Sequence, residues 1–281
     1  MLVSDISHCN ARGRPPRACA GGSELTDNGL LLFDEQTRES LRQIAGDALF
    51  LWPVGATEQH GPHLPVGTDA FHVERVTRDA AALAAREIPV ALLPVLPFGS
   101  SPHHLPFGGT MSLATETYYR VVLELAESLV SGGVRRLFIV NGHGGNHELV
   151  QLVARDLALG HDVDVAAGSW WAMAWDALVE VGAHETGRLP GHSGAFETSL
   201  LLAMRPELVT APLPHRDRPG STDPRRFGGL HRAERHGFWQ GIEGFTDSPD
   251  LGDADRGRLY LDVAAKAVAE QLVAFWNSNR E

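Results

Sequence analysis

Glu58, His60 and Asp69 lie in one stretch, Gly55-Ala56-Thr57-Glu58-Gln59-His60-Gly61-Pro62-His63-Leu64-Pro65-Val66-Gly67-Thr68-Asp69, directly after a short apolar run. Glu58 and His60 are two residues apart, so on an extended segment both side chains leave the same face. Carboxylate oxygens and imidazole nitrogens converging in this way suit a borderline divalent cation such as zinc, manganese or iron. A second imidazole, His143, sits in the turn Asn141-Gly142-His143-Gly144-Gly145-Asn146. A carboxylate such as Asp69 is able to bridge cations, which allows two ions about 3.5 Å apart. The glycines of the turn either bring backbone close to a ligand or form a plain strand-to-helix corner. The turn lacks the Lys-Ser/Thr of a phosphate-binding loop.

The third segment rich in reactive groups is Gly191-His192-Ser193-Gly194-Ala195-Phe196-Glu197-Thr198-Ser199. Glu197 falls one turn inside an apolar helix, where a carboxylate needs a partner. A metal is one; the alternative is a helix N-terminal charge, favoured by about 0.3–1 kcal/mol. His63, in a proline-flanked loop, is placed behind the ligands. Of His103 and His104, one is expected to face the pocket and the other solvent, and His104 is taken as the substrate contact. Trp170, Trp171 and Trp175 either wall a pocket for a flat ligand or fill the core; Trp170 and Trp171 are carried forward as substrate-binding residues. His215, His231 and His236 have no organised context.

The elements that must position these groups alternate between short apolar runs and helical patterns, the mark of βα units and a mostly parallel sheet in an α/β fold. Strands are expected at 48–54, 90–96, 136–140 and 163–168, the last running out into Ser169-Trp170-Trp171. Helices are expected at 69–87, from Thr115 as N-cap to Gly132-Gly133, at 147–160, within 191–204 and at 253–276. The helix after Thr115 should bury Val121, Val122, Leu125 and Leu129. Three of the loops bearing histidines or acids then follow Val54, Leu96 and Val140, at strand carboxyl ends, where open α/β sheets bind ligands. The segments 97–109 and 206–248 carry too much Pro, Gly and His for a regular element. Residues 1–28 read as a loosely ordered extension and 29–281 as one domain.

Composition narrows the function further. The chain has 281 residues, 43% of them hydrophobic, and a net charge of −11, which argues against a nucleic-acid partner. No apolar run approaches the roughly 20 residues of a membrane span. Cys9 and Cys19 make no disulfide framework. The opening residues lack the apolar region of a secretory signal, so a cytoplasmic location is expected.

Taken together, "GATEQHGPHLPVGTDA" at 55–70, "HHLPFGGTMSL" at 103–113, "VNGHGGN" at 140–146 and "GHSGAFETS" at 191–199 resemble the creatininase family of metal-dependent amidohydrolases. A degenerate match covers "GIEGFTDSPDLGDADRGR" at 241–258. The resemblance implies a single three-layer α/β/α domain, commonly assembled as a hexamer, so a homo-oligomer is expected. It implies metal ligation by Glu58, His60, Asp69 and His143, with Asp69 bridging two ions. A hydroxide shared by the ions would attack an amide carbonyl of a small substrate, and His192 would shuttle a proton to the leaving nitrogen. One departure stands out: creatininase carries Glu two residues after the ligand histidine, where this chain has Gly145. Glu197 is the expected replacement, which gives it a catalytic as well as a metal-binding role. The expected activity is hydrolysis of a non-peptide, possibly cyclic, C–N amide bond. Relatives with the Gly-Gly version act on other amides, including a formyl-amide and the C-terminal residues of a redox-cofactor precursor peptide. A family member that only binds a metabolite is the alternative from another class.

Overall fold

The structure, a computed structural model, describes residues 29–216 and 236–278. Its described strands are β1 (Leu30–Leu32), β2 (Leu49–Val54), β3 (Val90–Leu92), β4 (Arg136–Asn141) and β5 (Asp164–Ser169). They form one parallel sheet in the order β1-β3-β2-β4-β5. The helices are α1 (Arg38–Ile44), α2 (Thr68–Ala84), α3 (Thr115–Ser131), α4 (His147–Gly160), α5 (Trp170–Met173), α6 (Trp175–Glu180), α7 (Ala195–Met204), α8 (Phe238–Gly241) and α9 (Ala254–Ser278).

Side chains alternate across the central strands, as a strand period of two requires. Leu49 and Leu51 of β2 and Phe138 and Val140 of β4 join Val73, Val76 and Ala80 of α2, Phe196 and Leu200 of α7, and Tyr260 and Leu272 of α9 on one face. Phe50, Trp52, Leu137 and Ile139 meet Tyr118, Val122, Val150 and Leu157 of α3 and α4 on the other. Two apolar layers around one sheet give the three-layer α/β/α arrangement.

Several local expectations are corrected. The strand expected at 90–96 is regular only to Leu92; Leu93 and Leu96 still donate to Leu51 and Pro53, but Pro94, having no N–H, interrupts the ladder between them. Ala114, not Thr115, occupies the N-cap of α3. That helix buries Tyr118, Val122, Ala126 and Val130, four residues apart, and leaves Leu125 exposed. Its apolar residues encircle the axis, so spacing alone did not choose the face packed on α4. After β5 the chain turns into α5 instead of running on extended. The extension at 1–28, with Cys9 and Cys19, and His231 lie outside the described residues. No helix among the described residues is long and apolar enough to cross a membrane.

Candidate metal centre

Three loops at the carboxyl ends of the parallel strands meet above the sheet. Asn146 ties them together: its side-chain amide donates to the Gly55 carbonyl after β2, and its oxygen accepts from Ser100 N–H after β3. Asn141 steadies the β4 turn by accepting from His143 N–H and donating to the His143 carbonyl and to Ser169 Oγ. Gly142 belongs to the same frame, since a Cβ there would lie 2.6 Å from Cβ of Val73. Its close approach is thus to α2 and not to a ligand.

Glu58, His60, Asp69, His143, His192 and Glu197 are all buried and converge here. Asp69 stands in the first turn of α2 and reaches both ways, with Oδ1 3.2 Å from His60 Nε2 and Oδ2 3.0 Å from His143 Nδ1. Glu58 Oε1 lies 3.3 Å from His143 Nδ1 and 3.5 Å from His192 Nδ1. Glu197, in the first turn of α7, has Oε2 3.8 Å from His60 Nε2. Asp247 sets this helix start by accepting from the backbone N–H of Ala195 (2.7 Å) and Arg188 (3.1 Å). Gly187 and Gly194 leave room for its carboxylate.

The far nitrogens of His60 and His143 are fixed by acceptors. His60 Nδ1 donates to the Glu58 carbonyl at 3.1 Å, and His143 Nε2 to the Ser100 carbonyl at 3.1 Å. Carbonyls only accept, so His60 Nε2 and His143 Nδ1 turn inward with a lone pair, as metal-ligating histidines do. Both Glu58 oxygens, His60 Nε2 and Asp69 Oδ2 are buried without a hydrogen-bond partner. Such orphaned atoms are costly unless something charged sits between them. Ligand atoms of His60, Asp69 and Glu197 lie within 4.8 Å of one another, as do those of Glu58, His60 and His192 and those of Glu58, His103 and His143. The donor set fits divalent ions taking mixed nitrogen and oxygen ligands.

Without an ion, protons take that place. Burial opposes a charge on His60, but Asp69, Glu197 and Glu58 raise it to about 10, and Glu58 and Asp69 likewise hold His143 well above the usual imidazole value. Burial by itself would raise Glu58, yet His143 and the neighbouring histidines keep it well below the carboxylate range. Burial similarly works against ionised Asp69, which His60 brings down to about 2. Glu197 is pushed by burial up to about 8. Burial, and then the charge on His60, hold His192 well below the ordinary value.

Other expected residues lie differently. His63 donates to or accepts from Thr198 Oγ1 at 3.0 Å, one residue from Glu197, a supporting position. Both His103 and His104 face the site: His104 is buried against Glu58, and His103, expected in solvent, is half-buried and lies parallel to the His143 ring at 6.0 Å. Trp170 and Trp171 do not wall the pocket; they are buried in the core, where Trp170 stacks on Phe196, because α5 folds them under α7. The tryptophan at the cluster is Trp239 of α8, with ring centroids 4.7 Å from His104, 5.3 Å from His192 and 5.4 Å from His103. It sits in the segment that resists sequence assignment. Gln59 was also missed. Its carbonyl accepts from His192 Nε2 at 3.0 Å, and its side-chain amide donates to His104 Nδ1 (2.8 Å) and the Gly244 carbonyl (2.9 Å). Its place between two ligand-type residues was the one available signal.

Comparison with known proteins shows the family and the fold. A mycofactocin precursor peptide peptidase of Mycobacterium ulcerans (strain Agy99) is 36% identical over 57% of this chain, and the match spans only 59% of that relative's length. A creatinine amidohydrolase of Pseudomonas putida is 29% identical over 82% of this chain and 91% of its own. A solved creatinine amidohydrolase (creatininase) is 28% identical, with a TM-score of 0.66 over 89% of this chain and 99% of that one. Creatininase structures at 28% identity and a TM-score of 0.63 include a zinc–zinc form, matched over 85% of this chain and 96% of that one, and a manganese form, matched over 86% and 96%. The family profile described as creatininase, creatinine amidohydrolase, matches residues 34–272. The chain therefore belongs to the creatininase family.

Proposed function

We propose that this protein is a metal-dependent hydrolase that cleaves an amide C–N bond of a small substrate, with two divalent ions as cofactors. The observation that carries the reading is the set of buried, mutually facing and unpartnered atoms of Glu58, His60 and Asp69. His60, Asp69 and Glu197 would hold one ion, and Glu58, His143 and the second oxygen of Asp69 the other. Bound there, zinc or manganese supplies Lewis-acid polarisation of the carbonyl and an activated water. Asp69 orients both halves of the site. His192 has its Nε2–H tied to the Gln59 carbonyl, so Nδ1 is the atom that accepts a proton and returns it to the leaving nitrogen. Burial, and then the charge on His60, favour its neutral form. His104 and Trp239 pack against the His192 ring and are assigned to substrate contact. A cytoplasmic location and a homo-oligomeric assembly are part of the same proposal.

A second reading, trimming of a small precursor peptide, is favoured by the 36% identity to the peptidase. The protein loaded with manganese or zinc is to be assayed on creatinine, a formylated aminopyrimidine and a short peptide. Turnover of creatinine or the formyl-amide supports the small-amide reading, and turnover of the peptide alone replaces it with the second. Failure to retain any metal after dialysis, with no turnover, refutes both and leaves a metabolite-binding family member.

A further inference from the structure

Glu197 approaches the His60 end of the cluster. The His143 end is enclosed instead by the loop that follows β3. A Cβ at position 145 would fall 2.2 Å from the Ser100 carbonyl oxygen and 2.5 Å from His143 Nε2, so the backbone of this loop fills the space where a side chain would begin. The same loop holds His143 by two contacts to Nε2, the Ser100 carbonyl at 3.1 Å and Ser101 Oγ at 3.2 Å. Two residues further on it delivers His103, whose ring lies at 7° to the ring of His143.

The geometry points to His103 as a ligand of the ion held by Glu58 and His143. The inference rests on the two-ion reading above. Ligand atoms of Glu58, His103 and His143 all lie within 4.8 Å of one another, and both Glu58 oxygens lack a hydrogen-bond partner. Tetrahedral ligands at about 2.1 Å from an ion are about 3.4 Å apart, so a side-chain adjustment of about 1 Å closes the shell. His104 is less suited: its Nδ1 accepts from the Gln59 amide, so the nitrogen it turns toward Glu58, Nε2, carries the proton. Trp239 packs against His103 from the open side, with centroids 5.4 Å apart, which restrains the imidazole near this position. A neutral imidazole adds a nitrogen donor without adding negative charge to the set, so a nitrogen-preferring ion such as zinc is favoured over manganese.

The test is metal stoichiometry and affinity, read without turnover. Wild-type protein, His103→Ala and His103→Glu are stripped with chelator, reloaded with zinc, and measured by elemental analysis and competition with a chromophoric chelator. Wild type is expected to hold two ions. His103→Ala is expected to keep one at wild-type affinity and bind the second at least about 100-fold more weakly, and His103→Glu to regain two. Cobalt-loaded His103→Ala should also show an altered d–d spectrum. Two ions at unchanged affinity, with an unchanged cobalt spectrum, would overturn the assignment of His103. Fewer than two ions in wild type would instead overturn the two-ion reading itself. Should the variants fail to fold, carbethoxylation of His103 in wild type decides: zinc protects it if it is a ligand, and equal reaction with and without zinc refutes the role.

Discussion

Restoring a side chain at position 145 should damage the site. In Gly145→Ala the new Cβ meets the Ser100 carbonyl oxygen at 2.2 Å, whereas such contacts are essentially never below 3.0 Å. The obstacle is backbone, so it cannot swing aside, and the loop must retreat by about 0.8 Å. That retreat breaks the His143 Nε2 bond to the Ser100 carbonyl and strains the Ser100 N–H bond to Asn146. Overpacking costs about 1–3 kcal/mol and an unpaired buried donor about 1–3 kcal/mol. A total near 3 kcal/mol, at about 2–4 °C per kcal/mol for a chain of this size, lowers the melting temperature by roughly 6–12 °C. The loss of the hydrogen bond that orients His143 should weaken metal binding by about 10- to 100-fold. Melting of the metal-free protein by circular dichroism and zinc competition read the two effects separately. Gly145→Glu should behave no better and gain no activity on creatinine. A Gly145→Ala protein that melts within about 1 °C of wild type and binds zinc equally well would refute the reasoning.

Three further outcomes are expected. His192→Ala should lower kcat by about 10²- to 10⁴-fold while metal content is unchanged; loss of an ion would make His192 a ligand and not a proton carrier. Metal uptake should expel protons from His60 and His143, whose raised pKa values keep them charged at neutral pH without an ion. Affinity therefore rises with pH, and because Glu197, pushed up by burial to about 8, also gives up its proton on binding, titration calorimetry at pH 7.5 in buffers of different ionisation enthalpy should show between about two and three protons released; no buffer dependence would contradict it. Asp247→Ala strips the acceptor from the N–H groups of Ala195 and Arg188 and should cost about 2–4 kcal/mol in urea unfolding, with weakened binding of the ion at Glu197; an unchanged midpoint would show that water replaces the carboxylate.

The sheet was legible because the continuous apolar runs of β2 and β4, typical of strands buried on both faces, and the helical spacing of α2 are local properties of the chain. Boundaries slipped where a local exception intervened, as at Pro94, or where apolar residues surround the axis, as in α3. Among the site residues, Glu58 and His60 were legible from their two-residue spacing, and Asp69 from its place at a helix start. The tryptophans misled because one indole looks like another in sequence: Trp170 and Trp171 follow a strand end yet fold under α7, while Trp239 arrives from a segment without pattern.

The sequence by itself determined the donor types, their order at successive strand ends and the class of chemistry, since these depend on residue identity and short-range geometry. Only the tertiary structure decided that Glu197 lies at the His60 end, that His103 lies beside His143, and that Ser100 fills the space beside Gly145. Each is a contact between segments dozens of residues apart, fixed by how parallel strands gather their loops at one end of the sheet, and no local spacing encodes it.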